Sequence, residues 1–147
     1  MVICLFGESC TGKSTIAAKL AEHLNGERIE GKDYLRFAKN EADARRAFSA
    51  LLLSRLTSGQ PIIYVASEPE QLSLLPAGAF RVRIIAGLPR IKERFATRMG
   101  GRLPPPVAAM LERKHGLFDT SPCALQIDTD AVSAGDAADA IRSALQL

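Results

Sequence analysis

Eight consecutive residues near the amino terminus match the pattern G-x-x-x-x-G-K-[ST] in full: Gly7-Glu8-Ser9-Cys10-Thr11-Gly12-Lys13-Ser14. The two glycines let the backbone fold into a concavity whose amide hydrogens point inward, an arrangement that binds phosphate groups. Lys13 is then expected to reach the β and γ phosphates of a nucleotide. Ser14 is expected to offer its hydroxyl to a Mg²⁺ ion held mostly by phosphate and water. The segment therefore predicts a site for a nucleoside triphosphate, with contacts that run from Gly7 through Thr15.

This loop needs a strand before it and a helix after it, and the flanking residues predict both. Residues 2–6 form a short apolar run with no polar face, which is typical of a strand covered on both sides in a parallel sheet. After the loop, apolar residues recur at helical spacing at Ile16, Ala17, Leu20 and Leu24. Asn25-Gly26 then provides a left-handed helix end.

The remainder of the chain alternates predicted strands with predicted helices. The further strands expected are residues 28–34, as a short strand or the approach to one, then 62–66, 80–86 and 124–127. The further helices expected are one capped by Asn40 and ending at Ser58-Gly59, one from Pro89 to Gly100-Gly101, then 107–115 and 137–145. Such alternation requires right-handed crossovers and a parallel sheet between helical layers. We therefore predict an α/β three-layer sandwich with five parallel strands, formed by residues 1–147 as a single domain.

The composition excludes several broad classes of protein. Among the 147 residues, 47% are hydrophobic and 24% are charged, with 11 Gly and 8 Pro, which excludes a disordered or collagen-like chain. No apolar run approaches the roughly 18 residues of a membrane span, and no basic leader precedes the first strand. A cytoplasmic protein is therefore expected. The three cysteines have no Cys-x-x-Cys spacing, which argues against a disulfide framework or a zinc site.

The charge is unevenly distributed along the chain, although the net charge is only +3. Residues 81–102 contain seven basic side chains and one acidic side chain. From Asp119 onward the chain contains five Asp and a single basic residue, Arg142. The small net excess does not imply nucleic acid, because phosphate-driven binding needs a clustered basic face. Uneven charge of this kind predicts either a solvated face or a pocket for a polyanion.

Three arginines of the basic stretch recur at i, i+4 on the helix that begins at Pro89: Arg90, Arg94 and Arg98. Like charges at this spacing repel one another, so a ridge without acidic partners destabilises a solvated helix. We therefore favour a functional role for at least one of Arg94 and Arg98.

Three further features accompany the phosphate loop. Asp33 lies twenty residues after Lys13, in the segment Gly31-Lys32-Asp33-Tyr34-Leu35-Arg36. An Arg-rich helix and a Gly/Pro-rich segment span residues 89–106, and residues 125–130 precede an amphipathic last helix. With these features the whole chain resembles the small-molecule and nucleotide kinase branch of the P-loop NTPases, the group of shikimate, gluconate and nucleoside monophosphate kinases. Only the phosphate loop is specific to the class.

The resemblance implies in-line transfer of the γ-phosphoryl group of ATP to an acceptor, with Mg²⁺ as the metal. Lys13 and the loop amides would hold the phosphates, and Ser14 with Mg²⁺ would neutralise them. Asp33 would orient or deprotonate the acceptor hydroxyl.

The resemblance also implies a mobile lid of approximately residues 89–118. Arg94, Arg98 or Arg102 would close over the transferring group, or stack on the adenine. Asp128 and Thr129 would line the base pocket, and Arg45 would contact the acceptor.

Each of these roles has a structural alternative. Asp33 could cap a turn, the arginine ridge could be a solvated face, and Asp128 and Thr129 could merely end a strand. The third strand ends with Ala66-Ser67-Glu68, which departs from the endings common in the group and leaves the acceptor open. Glu68 could hold a metal-bound water or only begin a loop.

The function expected is that of an ATP-dependent phosphotransferase acting on a small hydroxylated or phosphorylated metabolite. We expect a monomer or homodimer that binds neither nucleic acid nor membrane. A regulatory GTPase would carry Asp-x-x-Gly and Asn-Lys-x-Asp, and the chain has neither. A nucleic-acid-dependent ATPase needs more sheet than 147 residues provide. The alternative left open is a nucleotide-binding P-loop module, or an NTPase, without small-molecule kinase activity.

Overall fold

The computed structural model describes residues 1–147 and confirms a five-stranded, all-parallel sheet between helices. The strands are β1 (Val2–Phe6), β2 (Glu27–Glu30), β3 (Ile62–Ala66), β4 (Phe80–Ile85) and β5 (Leu125–Asp128). Their order across the sheet is β2-β3-β1-β4-β5, and every neighbouring pair is parallel. Strand β1 is central and buried on both faces, which explains its uninterrupted apolar sequence.

Five α-helices connect the strands: α1 (Lys13–Leu24), α2 (Glu41–Arg55), α3 (Leu88–Arg98), α4 (Pro105–Lys114) and α5 (Ala134–Ala144). Helix α2 is capped as predicted, because the Asn40 side chain accepts a hydrogen bond from the Asp43 amide at 2.8 Å. Helix α5 begins three residues before the predicted start, since Ser133 caps it by accepting from the Asp136 amide at 3.1 Å. None of these helices has the length and apolar character needed to cross a membrane.

Two short 3-10 helices, Asp33–Phe37 and Pro69–Leu74, are absent from the sequence-based expectation. A turn at residues 31–32 and the start of the first 3-10 helix take the place of the end of the strand predicted at residues 28–34, so that β2 ends at Glu30. The Asp33 carboxylate accepts a hydrogen bond from the Glu30 amide at 3.3 Å, which fixes this turn at the carboxyl end of β2.

The sheet has a hydrophobic core on each face. One core joins β1, β2 and β3 to α2 and the two 3-10 helices, and includes Phe6, Tyr34, Phe48, Tyr64 and Phe118. The other joins β1, β3, β4 and β5 to α1 and α5, and includes Leu5, Ile16, Leu20, Ile84 and Ile141. These cores fix the carboxyl edge of the sheet, from which the phosphate loop emerges.

A third, smaller cluster lies under α3 and α4, the two helices of the predicted lid segment, which we call the lid helices. Its buried members are Cys10, Ala86, Ile91 and Leu111. Cys10 belongs to the phosphate loop, so the loop packs directly against the lid helices. Within α3 only Ile91 is buried, whereas Met99 is 44% exposed, because α3 ends at Arg98 and the chain turns away at Gly100-Gly101.

Candidate active site

The phosphate loop leaves the central strand β1 and passes between the ends of β3 and β4. The Gly7 amide donates to the Ala66 carbonyl at 3.2 Å, which continues the β1–β3 pairing into the loop. A Cβ on Gly7 would lie 2.2 Å from the Ile84 carbonyl oxygen, so this position accepts only glycine. Gly12 caps α1 with φ of 97°, in the left-handed region that also favours glycine. Both glycines of the motif are thus required by the local geometry.

Lys13 is the first residue of α1 and is only 4% exposed. Its Nζ donates to the Glu8 carbonyl at 2.5 Å and to Thr11 Oγ1 at 3.3 Å. Burial lowers the pKa of Lys13 to about 8, and the nearby positive charge of Arg98 also lowers it. The loop therefore holds a desolvated positive charge that a bound anion would stabilise.

A small cavity of about 60 Å³ occupies the concave side of the loop. It is lined by Ser9, Cys10, Gly12, Lys13, Ser14, Ser67 and Arg98. The Ser14 hydroxyl is half-buried and makes no hydrogen bond to the protein, so it is free to bind a ligand or metal. The Arg98 guanidinium is exposed and has no acidic partner. We call this cavity the phosphate concavity.

A larger cleft of about 420 Å³ extends from the phosphate concavity toward α3. Its lining is Cys10, Gly12, Thr15, Arg90, Glu93, Arg94, Thr97, Arg98 and Ala134. This volume lies within the range of small-molecule sites, which is about 300–1,000 Å³. We call it the nucleoside cleft, since it is large enough for a base and ribose beside the phosphates.

No protein-family model matches the chain, and no curated protein sequence matches it. Solved structures do match. A shikimate kinase from Acinetobacter baumannii in complex with shikimate has a TM-score of 0.68 at 17% identity, covering 99% of this chain and 93% of that one. A sugar kinase from Janibacter sp. HTCC2649 has a TM-score of 0.70 at 16% identity, covering 99% and 94%. This chain has the P-loop kinase-like fold.

A gluconokinase from Sinorhizobium meliloti 1021 has the same fold, with a TM-score of 0.63 at 19% identity, covering 99% of this chain and 91% of that one. The similarity therefore extends over almost the whole length of this chain. At such identities the shared property is the P-loop kinase-like fold alone.

Within this P-loop kinase-like fold, Arg94 contacts the backbone of the phosphate loop. Its Nη1 donates to the Cys10 carbonyl at 3.1 Å and to Thr129 Oγ1 at 3.2 Å. Thr129 Oγ1 donates to the Thr11 carbonyl at 2.7 Å. Arg94 and Thr129 thus brace the loop, whereas Arg98, one turn further along α3, lines the phosphate concavity.

The other predicted acceptor and base contacts lie outside the phosphate concavity. Arg45 is occupied by the Tyr34 hydroxyl and Ser73 Oγ, each at 3.4 Å. Arg102 is exposed in the turn between α3 and α4. Asp128 is exposed, and its Oδ1 accepts from the Asp130 amide at 2.9 Å, which closes the turn after β5. Their predicted roles stay predictions, as does that of Asp33, which lines none of the cavities of the molecule.

Two contacts that the sequence did not predict fasten the end of α4 to the carboxyl edge of the sheet. The Glu8 carboxylate lies 3.0 Å from His115 Nδ1 and accepts from the Gly116 amide at 3.2 Å. Lys114 Nζ lies 3.4 Å from the Glu68 carboxylate. The only sequence signal for Glu68 is its place at the carboxyl end of a predicted strand, where parallel sheets bind ligands. Nothing in the sequence pairs Glu8 with His115.

Proposed function

We propose that this chain is an ATP-dependent phosphotransferase that moves the γ-phosphoryl group to a small hydroxylated or phosphorylated metabolite. The observation that carries the proposal is the buried Lys13 ammonium at a phosphate concavity shared with Ser14 and Arg98. The concavity opens into a cleft that is large enough for a nucleoside. The P-loop kinase-like fold supports the same conclusion, since solved structures with this fold include a shikimate kinase, a gluconokinase and a sugar kinase.

Different residues of the phosphate concavity would bind different parts of a Mg²⁺–ATP complex. The loop amides and Lys13 would hold the β and γ phosphates, and the Arg98 guanidinium would contact the transferring group. The free Ser14 hydroxyl fits a Mg²⁺ ion held mainly by phosphate and water, and no group of three or more acidic, His or Cys side chains offers an all-protein site. When bound, Mg²⁺ would neutralise charge on the phosphates.

Phosphoryl transfer requires little covalent chemistry from the protein, so positioning and charge stabilisation would supply most of the rate. Two carboxylates follow strands at the carboxyl edge of the sheet and are the candidates to orient an acceptor hydroxyl: Asp33 after β2 and Glu68 after β3. The lid helices would exclude water when ATP is bound, which limits hydrolysis.

A second candidate function is nucleotide binding or hydrolysis without a metabolite acceptor. It is favoured by one observation: the cavity between α4 and the end of β3 measures only about 30 Å³, with the Glu68–Lys114 ion pair at its wall. This space holds a water but no metabolite, so a kinase would need to move the lid helices.

The test compares ADP release by three proteins: the unaltered chain, Lys13→Met and Lys19→Met. Lys19 is an exposed lysine of the same helix whose side chain makes no hydrogen bond or ion pair, so it controls for the loss of a positive charge. Each is incubated with Mg²⁺ and ATP, alone and with a panel of hydroxylated and phosphorylated metabolites. The proposal expects acceptor-dependent ADP release that is lost in Lys13→Met and kept in Lys19→Met. Tight ATP binding with no acceptor dependence across the panel would favour the second candidate.

A further inference from the structure

A second small cavity adjoins the phosphate concavity and has no lining residue in common with the nucleoside cleft. It is lined by Glu8, Ser9, Ser67, Glu68, Met110, Leu111, Lys114 and Leu117. Ser9 and Ser67 line both this cavity and the phosphate concavity, so the two spaces share a wall. In-line transfer places the acceptor on the far side of the γ phosphorus from the leaving nucleotide. The cavity beside Ser67 is therefore where an acceptor would be bound, and we call it the acceptor cavity.

Glu68 is held on the rigid side of the acceptor cavity. The amides of Ser67 and Glu68 donate to Gln71 Oε1 at 3.1 and 3.3 Å, and Gln71 is only 4% exposed. This fixes the main chain at the end of β3. One carboxylate oxygen of Glu68 pairs with Lys114 at 3.4 Å, and the Glu68 side chain also forms a capping box with Gln71 at the start of the second 3-10 helix. Lys114 is at the end of a lid helix, so movement of that helix would release the carboxylate oxygen that Lys114 holds.

Asp33, the other carboxylate at this edge, is less suited to contact an acceptor. It accepts a hydrogen bond from the Glu30 amide, and no wall of the acceptor cavity or the phosphate concavity includes it. Glu68 lines the acceptor cavity directly. Of Asp33 and Glu68, only Glu68 lines a cavity that adjoins the phosphate concavity.

The charges at the acceptor cavity restrict what can bind there. No arginine lines it, although guanidinium groups are the side chains best matched to phosphate oxygens. The arginines between residues 28 and 55 are also already paired with other residues of the chain. The pairs are Arg28 with Glu30, Arg36 with Glu27, Arg45 with Tyr34, Arg46 with Asp43 and Arg55 with Gln60. A phosphorylated acceptor would meet the carboxylate of Glu68 with Lys114 as the one positive charge.

We infer that Glu68 receives the proton of the acceptor hydroxyl, and that the acceptor is a polyol or amino sugar without phosphate or carboxylate groups. This inference rests on the proposed function. The acceptor oxygen forms a bond to the γ phosphorus, and the bond from that phosphorus to the β–γ bridging oxygen breaks. ADP leaves with the electron pair, the hydroxyl proton moves to the Glu68 carboxylate, and it passes to solvent after the products leave. Ammonium or hydroxyl groups of the acceptor would replace Lys114 at Glu68.

The role of Glu68 is tested with water as the acceptor, because the cavity admits a water without lid movement. We expect Glu68→Gln to lower the rate of ATP hydrolysis with Mg²⁺ by about tenfold or more, as a lost general base does. The dissociation constant of ATP should stay within about twofold. Glu70→Gln, at an exposed neighbour whose side chain makes no hydrogen bond or ion pair, controls for the lost charge. An unchanged rate in Glu68→Gln, or a loss confined to Asp33→Asn, overturns this role.

The acceptor class is tested by measuring ADP release with two sets of compounds. The first set has no phosphate or carboxylate group: glycerol, myo-inositol, glucose and glucosamine. The second, anionic set is shikimate, gluconate and AMP. Faster ADP release with a member of the first set, abolished in Glu68→Gln, supports the inference. Acceleration only by the anionic set overturns the acceptor class and leaves the proposed function standing. Failure to bind ATP, or ATP binding with no acceleration by either set, would instead overturn the proposed function itself, so the two failures are separate.

Discussion

Arg94 and Cys10 lie 84 positions apart in the chain, yet Arg94 Nη1 donates a 3.1 Å hydrogen bond to the Cys10 carbonyl. The same nitrogen lies 3.2 Å from Thr129 Oγ1, and that hydroxyl donates to the Thr11 carbonyl. One lid helix and the turn after β5 therefore hold two consecutive carbonyl groups of the phosphate loop. The loop depends on residues from two distant parts of the chain for its shape.

We expect Arg94→Ala and Arg98→Ala to have different effects, although both remove an arginine from the same ridge. A hydrogen bond from a charged donor contributes about 1.5–3 kcal/mol, so Arg94→Ala should lower the free energy of unfolding by about that amount and weaken ATP binding. Arg98→Ala should leave stability within about 0.5 kcal/mol and reduce turnover. Urea unfolding with a parallel ADP-release assay distinguishes them. Equal stability loss in both variants would contradict the division of roles.

Replacing Gly7 should damage the loop more than replacing another glycine with positive φ. In Gly7→Ala the new methyl group would lie 2.2 Å from the Ile84 carbonyl oxygen, so the loop must shift away from β4. Overpacking of this kind costs about 1–3 kcal/mol. Gly101→Ala is the control, since its φ is 98° but its Cβ would meet nothing within 4 Å. Thermal unfolding and ATP binding are measured for both, and an intact ATP site in Gly7→Ala would refute the geometry.

The buried Lys13 ammonium predicts a pH-dependent difference between the unaltered protein and Lys13→Met. The pKa of Lys13 falls from 10.5 to about 8 in the folded state, so burying its charge costs on the order of 3 kcal/mol below pH 8. Between pH 8 and 10.5 the unfolded chain still binds this proton while the folded chain does not. The cost therefore disappears as the pH rises through that window.

Lys13→Met should be the more stable protein below pH 8, and its advantage should shrink by on the order of 3 kcal/mol as the pH reaches 10.5. Burial also raises the pKa of Tyr64, and raises that of Cys4 to about 12, so the stability of both proteins falls at high pH. Comparing the two proteins cancels that shared contribution. A difference that stays constant between pH 8 and 10.5 would show that Lys13 keeps its ordinary pKa.

The contact between Glu8 and His115 should control how often the end of α4 leaves the sheet edge. We expect His115→Ala to speed trypsin cleavage after Arg102 or Arg113 by about fivefold, because a hydrogen bond of about 1 kcal/mol is lost from the docked state. The Gly116 amide would still bind Glu8. His23→Ala, at an exposed position on α1, provides the control. Cleavage at an unchanged rate would mean that this contact does not hold the lid.

The sequence predicted the parts of the molecule that depend on nearby residues. The strand, phosphate loop and first helix follow from a motif and an apolar period within the first 24 residues, and β3 follows from its own apolar run. The two 3-10 helices were not predicted, because five or six residues are too few to show a period.

The candidate site was predictable only in its central loop. Helical spacing placed Arg90, Arg94 and Arg98 on one ridge. It could not show that Arg94 binds Thr129, whereas Arg98 lines the phosphate concavity. The partners Glu8 and His115 are 107 positions apart, and Glu68 and Lys114 are 46 apart. Such pairs are set by the packing of α4 on the sheet edge, which no local pattern encodes.

The most direct measurement for the central claim is calorimetric titration of the chain with ATP and Mg²⁺, beside Lys13→Met and Lys19→Met. The account predicts saturable binding with one site per chain, weakened by about tenfold or more in Lys13→Met because its ammonium contacts the phosphates, and unchanged in Lys19→Met. A charge-assisted contact of about 1.5–3 kcal/mol corresponds to that loss. Absence of binding at millimolar ATP, or equal affinity in all three proteins, would contradict the assignment of residues 7–14 as a nucleotide site.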